Sequence, residues 1–146
     1  MYAARISLVV AVASAACGGD DAGSAAPGCV EVDPQCTPAF DPTWDNVYEF
    51  VIGQSCGGSE GVACHGGEGK QGGLVLYPQT QAFQELLGGS LGHGARVLPG
   101  NAACSVLVER LATTDRSRWM PYGAGMRLSE RERCAVERWI DQGAAE

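Results

Sequence analysis

Cys64 and His65 stand side by side, followed by Gly66 and Gly67, and Met120-Pro121 begins 55 residues after the histidine. A cysteine in this setting offers a thiol that can bond a haem vinyl group, and the adjacent imidazole can ligate the iron. A methionine on a later loop can supply the sixth ligand from the opposite face. Gly66 and Gly67, lacking Cβ atoms, would let a flat macrocycle approach the backbone. The nearest upstream cysteine is Cys56, so the motif reads C-x7-C-H, where haem attachment ordinarily uses C-x-x-C-H. Three arrangements of the sulfurs stay open: thioethers from both Cys56 and Cys64, a bond from Cys64 alone, or a Cys56–Cys64 disulfide. Met126 and His93 are the other candidates for the second axial position. A zinc site from Cys56, Cys64 and His65 would need a fourth ligand and reduced thiols, which an oxidising compartment does not supply.

The segments that must position these groups read as helices. Trp44, Val47, Tyr48 and Val51 recur at i, i+3, i+4 and i+7, one face of a helix running to about Gly53. Residues 54–73 are a loop containing eight glycines, and Leu74-Val75-Leu76 is a short extended apolar piece. Thr80 is placed to cap a helix through Leu87 that turns Phe83, Leu86 and Leu87 inward. Pro99-Gly100-Asn101 is expected to open another helix, carrying Leu107, Val108 and Leu111. Residues 113–127, with Met120 among them, show no periodicity. Ser129-Glu130-Arg131-Glu132 is a capping box ahead of a helix with Val136, Trp139 and Ile140 on its buried stripe, ended by Gly143. No β-alternation competes, so the domain reads as all-α, with long glycine-rich loops.

The ends of the chain and its cysteines speak to compartment. Arg5 followed by the apolar run 6–16, too short to span a bilayer, is an export signal. Cleavage before Cys17 resembles a bacterial lipobox, in which Cys17 becomes lipidated; Ser14 stands where a large aliphatic is usual, and Ala13-Ser14-Ala15 also fits an ordinary signal-peptidase site. Seven cysteines become six once Cys17 is lipidated, an even number. Residues 17–42 have the composition of a disordered tether, in which Cys29 and Cys36 are close enough for a local disulfide. Cys104 and Cys134 fall on two expected helices, and a bridge between them would close a loop of about 30 residues and contribute roughly 3–4 kcal/mol. The divisions are therefore 1–16 signal peptide, 17–42 lipidated N-terminus and tether, and 43–146 folded domain. The net charge of −7 argues against nucleic acid, and it suits a soluble partner with a basic face, although solubility explains it equally well.

Taken together and in order, these pieces resemble the class I cytochrome c-like domain, in the short form found on exported bacterial proteins. The resemblance runs over about residues 44–144. It is carried by residues 47–56, Cys64-His65-Gly66-Gly67, Gly72-Gly73-Leu74-Val75-Leu76, Val97-Leu98-Pro99-Gly100, and Leu107-Val108-Glu109-Arg110-Leu111. It closes on Met120-Pro121 and Leu128-Ser129…Trp139-Ile140-Asp141-Gln142-Gly143-Ala144. It implies one covalent haem c, with cofactor-binding Cys56, Cys64, His65 and Met120, and His65 and Met120 on the iron. It implies also that the first and last helices cross, with Val51, Val136 and Trp139 as candidates for the contact.

The expected function is electron transfer by a membrane lipoprotein facing the periplasm or cell surface. Its partner would be a periplasmic or membrane redox protein docking over an exposed haem edge. No catalytic constellation stands out; Asp115, Glu130 and Glu132 read as solvated helix-end charges, which makes the chain an electron carrier and not an enzyme. The other expectation, from a different class, is a haem-free, disulfide-stapled cytochrome-like lipoprotein serving as a structural or interaction module.

Overall fold

The computed structural model describes residues 28–57, 64–67, 71–88, 95–122 and 127–146. The expected signal peptide, Cys17, His93 and Met126 lie outside the described residues. Four helices carry the domain: α1 (Trp44–Val47), which runs on into π-helical turns over Tyr48–Gly57, then α2 (Gln79–Gly88), α3 (Val106–Ala112) and α4 (Glu130–Asp141). Among the described residues there is no β-strand, and no helix long and apolar enough to cross a membrane. The domain is all-α.

Trp44 sits at the junction of these helices. Its indole is 2% exposed and meets the rings of Trp139 at 5.1 Å, Phe83 at 5.3 Å and Tyr48 at 5.6 Å. The first and last helices thus meet, and Val51, Val136 and Trp139 share one buried cluster with Trp44. The periodicity that begins as α-helical changes register after Val47. Into and along the π turns Val47, Val51, Ile52 and Gly57 are all buried, a wider face than an α-helix would turn inward. This wider winding carries the first helix beyond Gly53, to the edge of the cysteine loop.

α4 is built as its sequence foretells. The Ser129 N–H donates to Glu132 Oε2 at 2.7 Å, and the Glu132 N–H donates to Ser129 Oγ at 3.2 Å. At the other end Gly143 takes φ +105°, the Gly143 N–H donates to the Ile140 carbonyl, and the Ala144 N–H donates to that of Trp139. That is the paired bonding of a Schellman stop.

Two helix starts differ from expectation. Thr80 lies inside α2, whose first turn is closed by the Pro78 carbonyl accepting from the Ala82 N–H at 2.9 Å. Pro99 does not open a helix. Residues 98–105 fold as turns in which Ser105 Oγ accepts from the Leu98 N–H and donates to the Asn101 carbonyl, both at 2.9 Å. Those turns dock on the end of α4: the Gly100 N–H donates to the Ile140 carbonyl at 2.7 Å and the Ala102 N–H to Asp141 Oδ1 at 2.8 Å. α3 begins only at Val106.

This placement overturns both expected disulfide pairings. Cys104 is held near residues 140–141, about 10 Å along the helix from Cys134 at a rise of 1.5 Å per residue, too far for a bridge. The bonds are instead Cys29–Cys104 and Cys36–Cys134, spanning 75 and 98 residues. Residues 28–42 are accordingly no free tether but a strap running antiparallel along α4. Arg138 donates to the Pro34 carbonyl, Cys36 is bonded to Cys134, the Ala39 N–H donates to the Arg131 carbonyl at 2.9 Å, and Arg131 donates to that of Pro38 at 3.3 Å. Val30, Val32 and Phe40 pack against the core, so the packed domain takes in residues ahead of Thr43; residues 17–27 of the expected tether lie outside the described residues.

Two carboxylates that the sequence did not single out are buried, Glu109 and Glu137, each 5% exposed. Glu137 accepts from Arg133 Nε at 3.1 Å. Burial pushes its carboxyl up from the usual carboxylate range; Arg133 opposes this, while Asp141 and Asp33 reinforce it.

Non-reducing peptide mapping is expected to yield 29–104 and 36–134 linkages and no 29–36 or 104–134 linkage. Removing the second bridge by Cys36→Ser with Cys134→Ser should cost about 4 kcal/mol in urea unfolding. For Glu137, the raised folded-state affinity means the folded form holds its proton to higher pH than the unfolded chain, so its contribution is full at low pH and lost as pH rises. Glu137→Gln should therefore melt higher than the parent at pH 7, and the gap should close as pH falls to about 4.5, near the ordinary glutamate value.

Candidate haem site

The last π turn, the cysteine–histidine loop and the apolar piece 74–76 come together through their backbones. The His65 N–H donates to the Cys56 carbonyl at 3.2 Å, the Leu76 N–H to the His65 carbonyl at 2.6 Å, and the Gln71 N–H to the Cys64 carbonyl at 2.9 Å. Gly57 is what allows this approach. A Cβ there would stand 2.7 Å from Leu76 Cβ and 2.8 Å from the His65 carbonyl oxygen. By contrast, a Cβ on Gly67 meets nothing within 4 Å.

On the far side, Met120 is tied to α3 by its N–H, which donates to the Arg110 carbonyl at 2.8 Å. The Met120–Pro121 peptide is cis. Between the two sides opens an apolar cleft with a cavity volume of about 130 Å³. Cys56, His65 and Met120 all line it, so three of the four residues singled out from the sequence converge on one wall-to-wall space. Leu86 of α2 and Leu107 and Leu111 of α3 supply apolar lining, and Arg96 and Arg110 bring two guanidinium groups.

The chemistry of the donors suits an iron porphyrin. His65 Nδ1 is buried without a hydrogen-bond partner. Burial pushes the imidazole below its ordinary range; the carbonyls of Leu74 and Gln71 pull the other way, and the Arg96 charge adds to the lowering. Those carbonyls lie near enough to favour a proton on the ring, yet neither meets Nδ1 in hydrogen-bonding geometry. His65 is therefore neutral near pH 7, the form that ligates a metal. Cys56 is a free thiol, so no Cys56–Cys64 bridge is made, and burial pushes it up to about 12. Among the described residues no three His, Cys, Asp or Glu side chains gather as a metal cluster.

Arg96 and Arg110 are the site residues that the sequence reading missed. Arg110 was within reach of it: at i+3 from Leu107 and next to Leu111, it shares their helical face. Arg96, paired with Glu85 at 2.9 Å and donating to that residue's carbonyl at 2.8 Å, is placed by the fold alone.

A family model described as Planctomycete cytochrome C matches residues 62–121, under half of the chain. The match opens two residues before Cys64 and closes on Pro121. It takes in Cys64, His65 and Met120 and leaves out Cys56 and α4. It supports a cytochrome c-like domain. No curated protein and no solved structure matches the chain significantly.

Gly57→Ala should lower haem-free stability by about 1–3 kcal/mol, the range for overpacking a close contact, because both atoms it would strike belong to or adjoin backbone. Gly67→Ala should leave the urea midpoint unchanged.

Proposed function

We propose that the domain carries one c-type haem, with His65 and Met120 as axial ligands, and serves as an electron carrier. One observation supports this above the others: an imidazole and a thioether 55 residues apart in sequence line the same apolar cleft, the imidazole with a buried ring nitrogen lacking any partner. When bound, the haem supplies a one-electron Fe(III)/Fe(II) couple. The protein's share is to hold His65 neutral, to fix its loop through the Cys56 and Leu76 backbone bonds, and to keep water from the leucine-lined wall. Arg96 and Arg110 are suited to the haem carboxylates, since guanidinium pairs with carboxylate in a planar fork. Cys56, a free thiol at the cleft wall, is one thioether donor of this reading; Cys64, next to His65, is disulfide-bonded in the structure and would serve as the second only after that bond is reduced. The seven-residue interval between them runs through residues 57–63, three of them glycine.

The same proposal includes export, lipidation of Cys17 and a position facing the periplasm or cell surface, with a redox protein as partner and no catalysis by the domain itself. Two bridges of native cysteines agree with an oxidising compartment. They also favour a second reading, a haem-free stapled module, because they hold strap, turn and α4 together without any cofactor. Its expected Cys56–Cys64 pairing is not made, since Cys56 is a free thiol, although Cys64 is itself disulfide-bonded.

Expression with a cytochrome c maturation system should give red protein with a Soret band and haem that stays on the chain in a denaturing gel. His65→Ala should abolish the low-spin spectrum. Met120→Ala should keep the covalent haem and lose the sulfur–iron charge-transfer band. Colourless, iron-free protein with the Cys29–Cys104 and Cys36–Cys134 bridges intact would leave only the stapled module.

A further inference from the structure

The charge of this acidic chain is unevenly distributed. Five of its ten cationic residues, Arg96, Arg110, Arg116, Arg118 and Arg127, fall within residues 96–127, against only Glu109 and Asp115 of its seventeen acids. That stretch is therefore +3, and the rest of the chain −10, within the total of −7.

The structure gathers part of this charge beside Met120. Trp119, its neighbour in the chain, has the Arg116 guanidinium 5.5 Å and the Arg127 guanidinium 5.0 Å from its ring centroid. Arg127 also donates to the carbonyls of Thr113 at 2.9 Å and Ala112 at 3.4 Å, at the C-terminal end of α3, where a cation is favoured. Asp115 holds the adjoining turn. It accepts from the Ser117 N–H at 3.0 Å, from the Ser117 hydroxyl at 2.8 Å and from Arg118 Nε at 3.2 Å. Arg118 is neutralised by Asp115 and by the buried Glu109 at 3.0 Å, and Arg110 stands 3.5 Å from Glu109. Arg116 and Arg127 are exposed, and among the described residues no carboxylate pairs with either. The result is a fixed platform of two cations and an aromatic ring next to a cleft-lining residue.

We infer that the Arg116–Trp119–Arg127 platform is the docking face for an acidic protein partner that exchanges electrons at the Met120 side of the cleft. The inference rests on the electron-carrier reading and reverses the partner charge that the overall balance suggests. A partner bearing carboxylates is attracted here and repelled by the remaining −10, so the encounter is oriented as well as accelerated. Arginine and tryptophan are also the residue types that most often dominate interface energy. The charges are short-ranged in effect, within a Debye length of about 10 Å at 0.1 M salt, so the face acts locally against the net field.

A ten-residue glutamate peptide, titrated at low salt into isotopically labelled protein, should shift the amide and side-chain signals of Arg116, Trp119 and Arg127. The Arg116→Glu/Arg127→Glu variant should lose these shifts, while Arg131→Glu on α4 should retain them. Shifts that are absent, or centred on α4, would overturn the docking face. In the haem-loaded protein, oxidation by ferricyanide should slow about tenfold as salt is raised, the size expected of local steering, and the double variant should show the opposite salt dependence. A rate that rises with salt in the native protein, as the net charge alone dictates, would overturn it too. Should no Soret band form, the electron-carrier reading falls, and the peptide titration still decides the surface.

Discussion

Gly57 lies so close to the His65 carbonyl and to Leu76 that no side chain fits between them. The ligand wall of the cleft depends on that contact. The π winding of Tyr48–Gly57 brings the glycine into place, and the backbone bonds from His65 to Cys56 and from Leu76 to His65 are made across it. Because the wall is held by main-chain atoms, the imidazole faces the cleft without any side chain having to steer it. The orphaned ring nitrogen is the cost of that arrangement, since a buried polar atom without a partner is unfavourable by about 1–3 kcal/mol until something bonds it. A bound metal, by fixing the tautomer and orientation of the ring, would be one way to relieve that cost.

The rest of the domain keeps this wall opposite Met120. Trp44 couples α1 to α2 and α4 through its ring contacts, and α3 lines the cleft beside Met120, which hangs from the Arg110 carbonyl. The strap over residues 28–42 closes the far side of α4 with two bridges and several backbone bonds. Cross-links across 75 and 98 residues act mainly by restricting the unfolded chain, each by about 4–5 kcal/mol on the entropic estimate, and the overlapping loops keep the two from adding fully. A small domain with so many glycines and so little regular structure has few other ways to hold a cleft open.

Electrostatics divides the surface in the same way as the packing divides the interior. Acidic residues cover the strap and most of the helices, whereas the arginines gather from residue 96 to residue 127, the stretch that forms the second wall of the cleft. Two of them line the cleft, one is bound to a buried glutamate, and two rest on Trp119. A single run of chain thereby supplies the distal wall, the groups suited to carboxylates within it, and the charge outside it.

Local signals were sufficient wherever the interaction is local. The capping box at Ser129 and Glu132, the stop at Gly143, the inward face of α2 and the all-α class follow from neighbours three or four residues apart, which a sequence displays directly. The Cys-His pair and the Met-Pro pair could likewise be read as candidates from residue type and order. The partner of each cysteine could not, because pairing depends on where turns 98–105 dock on α4 and on the strap's antiparallel course, both matters of long-range packing. The start of α3 at Val106 was hidden for a related reason: Ser105 and Asn101 satisfy a turn that propensity alone does not distinguish from a helix opening. Nor could the sequence show that Glu109 and Glu137 would be buried, or that Arg96 would face the cleft. Residue chemistry and short-range periodicity determined which groups exist and which helices carry them; only the tertiary structure decided which of them meet, since contacts between residues tens of positions apart are set by how the helices pack.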